Sequence, residues 1–215
     1  MATNLIHRSP LRDAVYREVL DRIHRGELPA GSRVRDTTLA GQLGVSRTPV
    51  REALLRLVGD GVLEADMGRG FTVSLLNPTE MRETGAILFS LECLALETCN
   101  DLTAEQLNRL SSIDQELEKT RGDADRCIAL DEEWHRTLLQ SCPNQRLLNL
   151  IASLWQVPRR YMRAYLRDAG RLSLSTQHHA RIVEALRRND RKTALERFGH
   201  HWRRGIEELD TWMQR

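Results

Sequence analysis

The chain has 215 residues, 40% hydrophobic and 29% charged, enough for one or two packed domains and too balanced for a disordered chain or a mini-protein scaffold. No run approaches the ~18 apolar residues of a membrane span, and the opening MATNLIHRSP has no apolar signal-peptide core, so a soluble, cytoplasmic protein without a membrane partner is expected. Net charge is only +2, and positions 1–76 hold 11 arginines against 9 acidic residues, so a nucleic-acid partner must be argued from where basic groups stand and not from bulk charge.

The first predicted element runs from about Pro10 to Arg25, with Leu11, Val15, Val19 and Ile23 at helical spacing and Gly26 as the stop. GELPAGSRV follows as a turn, then a short helix capped by Asp36 and ended by Gly44. Ser46 is placed to cap a third helix from Arg47 to about Asp60 that buries Val50, Leu54, Leu57 and Val58. Beyond Gly61 the period changes, and VLEAD and FTVSL read as two strands around the turn MGRG. Asn77 and Pro78 are an N-cap and first helical residue. From there only helices are predicted: the one that opens at Pro78, a capping-box helix from Thr103 and Gln106 to about Arg121, and one from Asp123 to Ser141. A long helix from Asn144 kinks or breaks at Pro158, and two more begin at Ser173 and Asp190. Cys93, Cys99, Cys127 and Cys142 form no C-x-x-C pair and read as reduced core thiols.

The fold expected is therefore mainly α. An N-terminal winged helix-turn-helix of three helices plus a β-hairpin wing precedes a C-terminal all-helical antiparallel bundle. The boundaries are an arm over 1–9, the winged unit over 10–76, a linker over 77–79 and the helical domain over 80–215. The N-terminal turn of a recognition helix enters the major groove, so guanidinium and hydroxyl groups are wanted at its first positions. Arg47 and Arg51, four apart on one face, are placed to reach guanine edges or phosphates, and the tip Gly68-Arg69-Gly70 to approach a minor groove.

Residues 9–76, with the long word LAGQLGVSRTPVREALLRLVGDGVLE, strongly resemble the winged helix-turn-helix of the GntR family of bacterial transcription factors. The resemblance implies DNA contacts at Thr37 or Thr38, Arg47, Thr48, Arg51, Gly68 and Arg69, and Arg33 and Arg35 are assigned to phosphate. It implies a homodimer on a short inverted repeat of double-stranded DNA, since palindromic half-sites mirror a two-fold axis.

In the helical part Asp131 and His135 stand four apart on one helix face, and two imidazole doublets follow, His178-His179 and His200-His201. Asp and His side chains from several helices can build a divalent metal site in a bundle core. His201 lies on an inward stripe with Phe198, Gly205 and Leu209, whereas His200 falls with Glu196, Arg204 and Glu207. Phase leaves the first doublet open, because His178 and His179 both align with Ile182 and Leu186. Residues 80–213 resemble the FCD ligand-binding domain of the FadR branch of that family, which implies Asp131, His135, His179 and His201 as ligands of a divalent ion (Zn, Ni, Mn or Fe) and a small carboxylate effector. Where the family commonly has R-x-x-L-E, with the Arg toward the effector, this chain has Leu88 to Glu92, so either the effector is not clamped there or another guanidinium, such as Arg159, Arg160 or Arg163, takes the role. The function expected is an operator-binding regulator controlled by effector and metal. The competing expectation, a metal-dependent hydrolase with an appended DNA-binding module, lacks an H-E-x-x-H word, a G-x-S-x-G elbow and a phosphate-cradling loop.

Overall fold

The computed structural model describes residues 9–66, 70–120, 122–169 and 175–214. They form two compact units, residues 1–76 and 77–215. In the first, α1 (Ser9–His24), α2 (Asp36–Leu43) and α3 (Arg47–Gly59) pack against a three-stranded antiparallel sheet of order β1-β3-β2, formed by β1 (Arg33–Val34), β2 (Leu63–Asp66) and β3 (Gly70–Val73). Val15, Val19, Val50, Leu54, Leu57, Val62 and Phe71 make its core. Arg56 lies over the Tyr16 ring at 4.2 Å and Tyr16 donates to Asp60 at 2.7 Å, which ties α1 to α3.

Several local expectations are corrected. GELPAGSRV is not only a turn, because Arg33 and Val34 pair with Thr72 and Phe71. Two residues are too few to show alternation, and the signal lies in burial of Val34 against an exposed Arg33. Asp36 does not cap α2. Arg35 occupies the N-cap and Asp36 is the first helical residue, its carboxylate accepting from the Thr37 N–H. Ser46 stands at the N-cap of α3, but its hydroxyl makes no capping bond. Val58 is only half-buried.

Gly44 closes α2 at φ +66°, a left-handed conformation that L side chains adopt at a cost. A Cβ built there meets no atom within 4 Å, so the penalty of Gly44→Ala is conformational alone. We expect a loss of about 1–2 kcal/mol, read as weaker hydrogen-exchange protection of α2 and α3 with the second unit unchanged.

The second unit has seven helices among the described residues: α4 (Pro78–Thr98), α5 (Ala104–Lys119), α6 (Ala124–Leu139), α7 (Gln145–Leu154), α8 (Gln156–Ala169), α9 (Ser175–Arg187) and α10 (Arg191–Met213). Their starts are set locally. Side chains of Asn77, Asp123, Asn144 and Asp190 accept from backbone N–H groups of the first turns, and Thr103 with Gln106 forms a complete capping box. Asn77 to Thr79, expected as a linker, are thus the cap and first turn of α4. The expected break comes at Trp155, three residues before Pro158, which sits in the first turn of α8 where its missing N–H is not needed. The expected helix start at Ser173 lies outside the described residues. Trp134, Tyr161, Phe198, Leu110 and Ile113 are fully buried, and α10 packs on α9 and α4 while α5 packs on α6 and α9. All four cysteines are free, and burial pushes the Cys99 thiol up to about 12 and Cys93 to about 11, which leaves them inert. No helix among the described residues is long and apolar enough to cross a membrane.

Candidate functional site

In the first unit Arg47, Thr48 and Arg51 are exposed at the N-terminal end of α3, with Thr37 and Thr38 exposed in the first turn of α2. The buried carboxylate of Asp36 links the two helix starts. It lies 3.0 Å from Arg47 Nη2 and 3.7 Å from Arg51 Nη1, while both guanidinium groups stay mostly exposed at 65% and 60%. The Arg47 hydrogen bond, opposed by burial and helped by both charges and the Thr37 N–H, holds the Asp36 carboxyl below the usual carboxylate range. Arg51 also lies 5.9 Å from the centre of the Phe71 ring. These arginines are therefore aimed by protein partners and remain open to solvent at their tips. Arg33 is exposed on β1 and Arg35 at the N-cap of α2. Gly68 and Arg69 lie outside the described residues.

In the second unit α6, α9 and α10 bring three imidazoles together. Ligand atoms of His135, His179 and His201 all lie within 4.8 Å of one another, and His135 Nε2 and His201 Nε2 are 3.2 Å apart. Ligands about 2.1 Å from a shared ion stand about 3–4 Å from each other, so the trio needs only a small inward adjustment to hold one. His179 Nε2 is buried and has no hydrogen-bond partner, an expensive state that a cation would relieve. The nearest anion to it is Asp131 Oδ1 at 3.7 Å. Asp131 stands beside the converging trio and is not part of it. His200 is exposed and His178 half-buried, their rings 5.3 Å apart on the outside of α9 and α10.

Two carboxylates orient the rings from behind. Glu92 on α4, fully buried, lies 2.8 Å from His135 Nδ1, and Asp114 on α5 lies 2.8 Å from His179 Nδ1. Each partner favours a proton on Nδ1 and leaves Nε2 facing the shared space, the tautomer that a metal requires. Trp134 stacks on His179 with ring centres 3.7 Å apart and planes within 8°. Neither carboxylate was assigned this role from sequence. Their signal is an acidic residue on a buried stripe: Leu88, Glu92 and Ala95 on α4, and Leu110, Asp114 and Leu117 on α5.

Electrostatics describe a donor set short of a cation. Burial, with repulsion from the other imidazoles, pushes His179 and His201 well down. Burial alone would lower His135, but the charge and hydrogen bond of Glu92, joined by Asp131, raise it. Burial pushes Asp131 up, and burial together with Asp131 pushes Asp114 to about 8. Imidazoles held neutral at His179 and His201, and carboxyls that resist ionisation at Asp131 and Asp114, are what close burial of such groups produces when no ion sits between them, while Glu92 keeps His135 basic. The residues fit a divalent ion.

A cavity of about 100 Å³ opens beside this cluster, with Asp131, His135 and His201 in its wall together with Met81, Leu117, Trp155, Met162, Trp202, Ile206 and Leu209. The three arginines offered as substitute anion contacts are not among its lining residues. Arg159 pairs with Glu132, Arg163 with Asp125, and the buried Arg160 lies 3.7 Å from Glu80. Leu88, in place of the family's arginine, is fully buried in the core.

A winged helix-turn-helix carrying exposed arginines on its third helix, followed by a helical bundle with an internal cavity, defines a DNA-binding transcription regulator. Residues 11–73 match the family described as bacterial regulatory proteins, gntR family, and residues 83–204 match the FCD domain; the chain belongs to the GntR family. It is 28% identical over 200 residues to the uncharacterized HTH-type transcriptional regulator YdhC of Bacillus subtilis (strain 168), covering 90% of this chain and 88% of that one. It is 32% identical over 133 residues, 60% of each chain, to the HTH-type transcriptional regulator McbR of Escherichia coli (strain K12). The solved structure of E. coli McbR/YncC superposes with a TM-score of 0.81 at 25% identity, covering 100% of this chain and 99% of the other. Family and relatives are regulators and not enzymes, and the hydrolase alternative finds no support.

Proposed function

We propose that this GntR/FCD regulator works as a cytoplasmic homodimer on a short inverted repeat, with Arg47, Thr48 and Arg51 in the major groove. Thr37 or Thr38 assists, Arg33 and Arg35 hold phosphates, and the Gly68-Arg69 tip follows the minor groove. A two-fold pair of recognition helices matches a palindromic site. The exposed Ile87, Leu94 and Leu150, on the adjoining helices α4 and α7, support an apolar face for a second copy.

In the helical unit His135, His179 and His201, with Asp131 closing in, would hold a divalent ion. When bound, such an ion with one or two open positions supplies a seat for a carboxylate oxygen. The observation that carries this reading is the buried, unpartnered Nε2 of His179 beside two other imidazoles at the wall of a cavity. Glu92 and Asp114 keep the rings in register, Trp155 and Trp202 cover the cavity wall, and no arginine is among its described lining residues. A coupling of about 1–3 kcal/mol between this site and the operator suffices to change DNA affinity about 5- to 150-fold.

Calorimetry with a panel of carboxylic acids tests the reading. Acids should bind the metal-loaded chain and bind chelated protein or Asp131→Ala far more weakly. Equal affinities in all three would mean that the ion only braces the bundle and the effector sits elsewhere.

A further inference from the structure

We propose that the effector is a compact monocarboxylic acid whose remaining body is plain hydrocarbon, of up to about six carbons; the proposal rests on the metal-anchored reading above and specifies the rest of the ligand. The cavity offers polar groups in two places only among its described lining residues. One is the ion-binding end, Asp131, His135 and His201; the other is Tyr165 with Glu208. Tyr165 donates its hydroxyl to Glu208, so that pair is already engaged.

The two tryptophans in the wall are the unusual feature. An indole lining a ligand cavity commonly offers its N–H to the ligand. Here Trp155 Nε1 donates to Glu92 Oε1 at 2.7 Å and Trp202 Nε1 to Glu92 Oε2 at 2.9 Å, so one fully buried carboxylate draws both donors out of the cavity. What the rings present inward is carbon. The Cys127 thiol, also in the wall, donates to the Thr120 carbonyl at 3.3 Å. A ligand hydroxyl remote from the ion therefore meets no side-chain donor that is not already engaged, and only Tyr165 and Glu208 could accept from it; elsewhere along the wall it is buried unpaired, which costs affinity.

A second carboxylate fares worse. No Lys or Arg is among the described lining residues, and the carboxylate away from the ion-binding end is Glu208, so the far end of a dicarboxylate would be stripped of water with no cation to meet it. Size sets the remaining limit. At about 100 Å³ the cavity is smaller than the ~150 Å³ apolar cavity that accommodates benzene, which favours a short chain over a ring.

The test uses full-length, metal-loaded protein and three acids of one length, hexanoate, 6-hydroxyhexanoate and adipate, titrated by calorimetry. The far-end hydroxyl is chosen because a hydroxyl next to the carboxylate would chelate the ion and mask the wall. Hexanoate should bind at least about tenfold more tightly than either of the others. Met162→Trp, which adds bulk to the wall at a residue that is not one of the proposed ligands, should abolish hexanoate binding and leave metal affinity unchanged. Equal or tighter binding of adipate or 6-hydroxyhexanoate overturns the proposal, as does hexanoate binding that survives Met162→Trp or no binding of hexanoate at all. A hexanoate preference that persists in chelated protein, and is lost in Met162→Trp, supports the apolar wall and removes the metal anchor instead.

Discussion

Arg47→Ala and Arg51→Ala are each expected to weaken binding to the chain's own operator about 5- to 150-fold, the range that a lost bidentate guanine contact of about 1–3 kcal/mol corresponds to, with a smaller loss on random duplex. The operator is obtained by sequencing genomic fragments that the purified protein retains, and affinities are then measured on both DNAs at several salt concentrations. A uniform loss, with the salt slope reduced by about one, would move the residue from base to phosphate. The Asp36 carboxylate complicates the reading, because it holds Arg47 at 3.0 Å and Arg51 at 3.7 Å. Asp36→Asn separates the roles. It leaves both guanidinium groups in place but slackens their aim, so it should lower specificity less than either arginine deletion. Unchanged affinity in both arginine variants would overturn the assignment.

The proposed metal centre should be equally visible in thermal stability. An ion that binds only the folded chain stabilises it by about 2.7 kcal/mol at a hundredfold excess over Kd, or roughly 5–11 °C in Tm for a unit of this size. Chelation should remove that increment, and Mn²⁺, Ni²⁺ or Zn²⁺ should restore it. His201 is the ligand to replace, since it is half-buried and its loss leaves the core intact, whereas His179 is fully buried. His201→Ala should erase the metal response and His200→Ala, at an exposed ring, should preserve it. A metal response that survives in His201→Ala would overturn the ligand set.

What was legible in the sequence was what short-range chemistry dictates. Asn77, Thr103, Asp123, Asn144 and Asp190 begin helices because a side-chain oxygen two or three residues away satisfies an orphan N–H, and nothing distant is needed. The doublet His200-His201 separates by phase because the outer residue has charged neighbours. His178-His179 does not, since both share a stripe with Ile182 and Leu186, and only the packing of α9 on α5 against Asp114 distinguishes the buried ring. Strand β1 escaped because two residues carry no period, and Pro158 located the break between α7 and α8 only to within three residues because a proline is tolerated in the first turn of the helix that follows. Glu92 and Asp114 were hidden for another reason: a carboxylate on an apolar stripe has no meaning until the imidazole it faces is known.

The stacking of Trp134 on His179 also bears on how an ion would arrive and leave. His179 is held on its face by the indole and at its edge by Asp114, so its rotational entropy is already surrendered when the bundle folds. His201, half-buried, is the most exposed of the three rings. Capture would then begin at a fixed anchor and finish as His201 closes, and release would begin with the same ring. Tight retention and ready exchange would reside in different imidazoles, which makes residence time adjustable at α10 without loosening the core around Trp134.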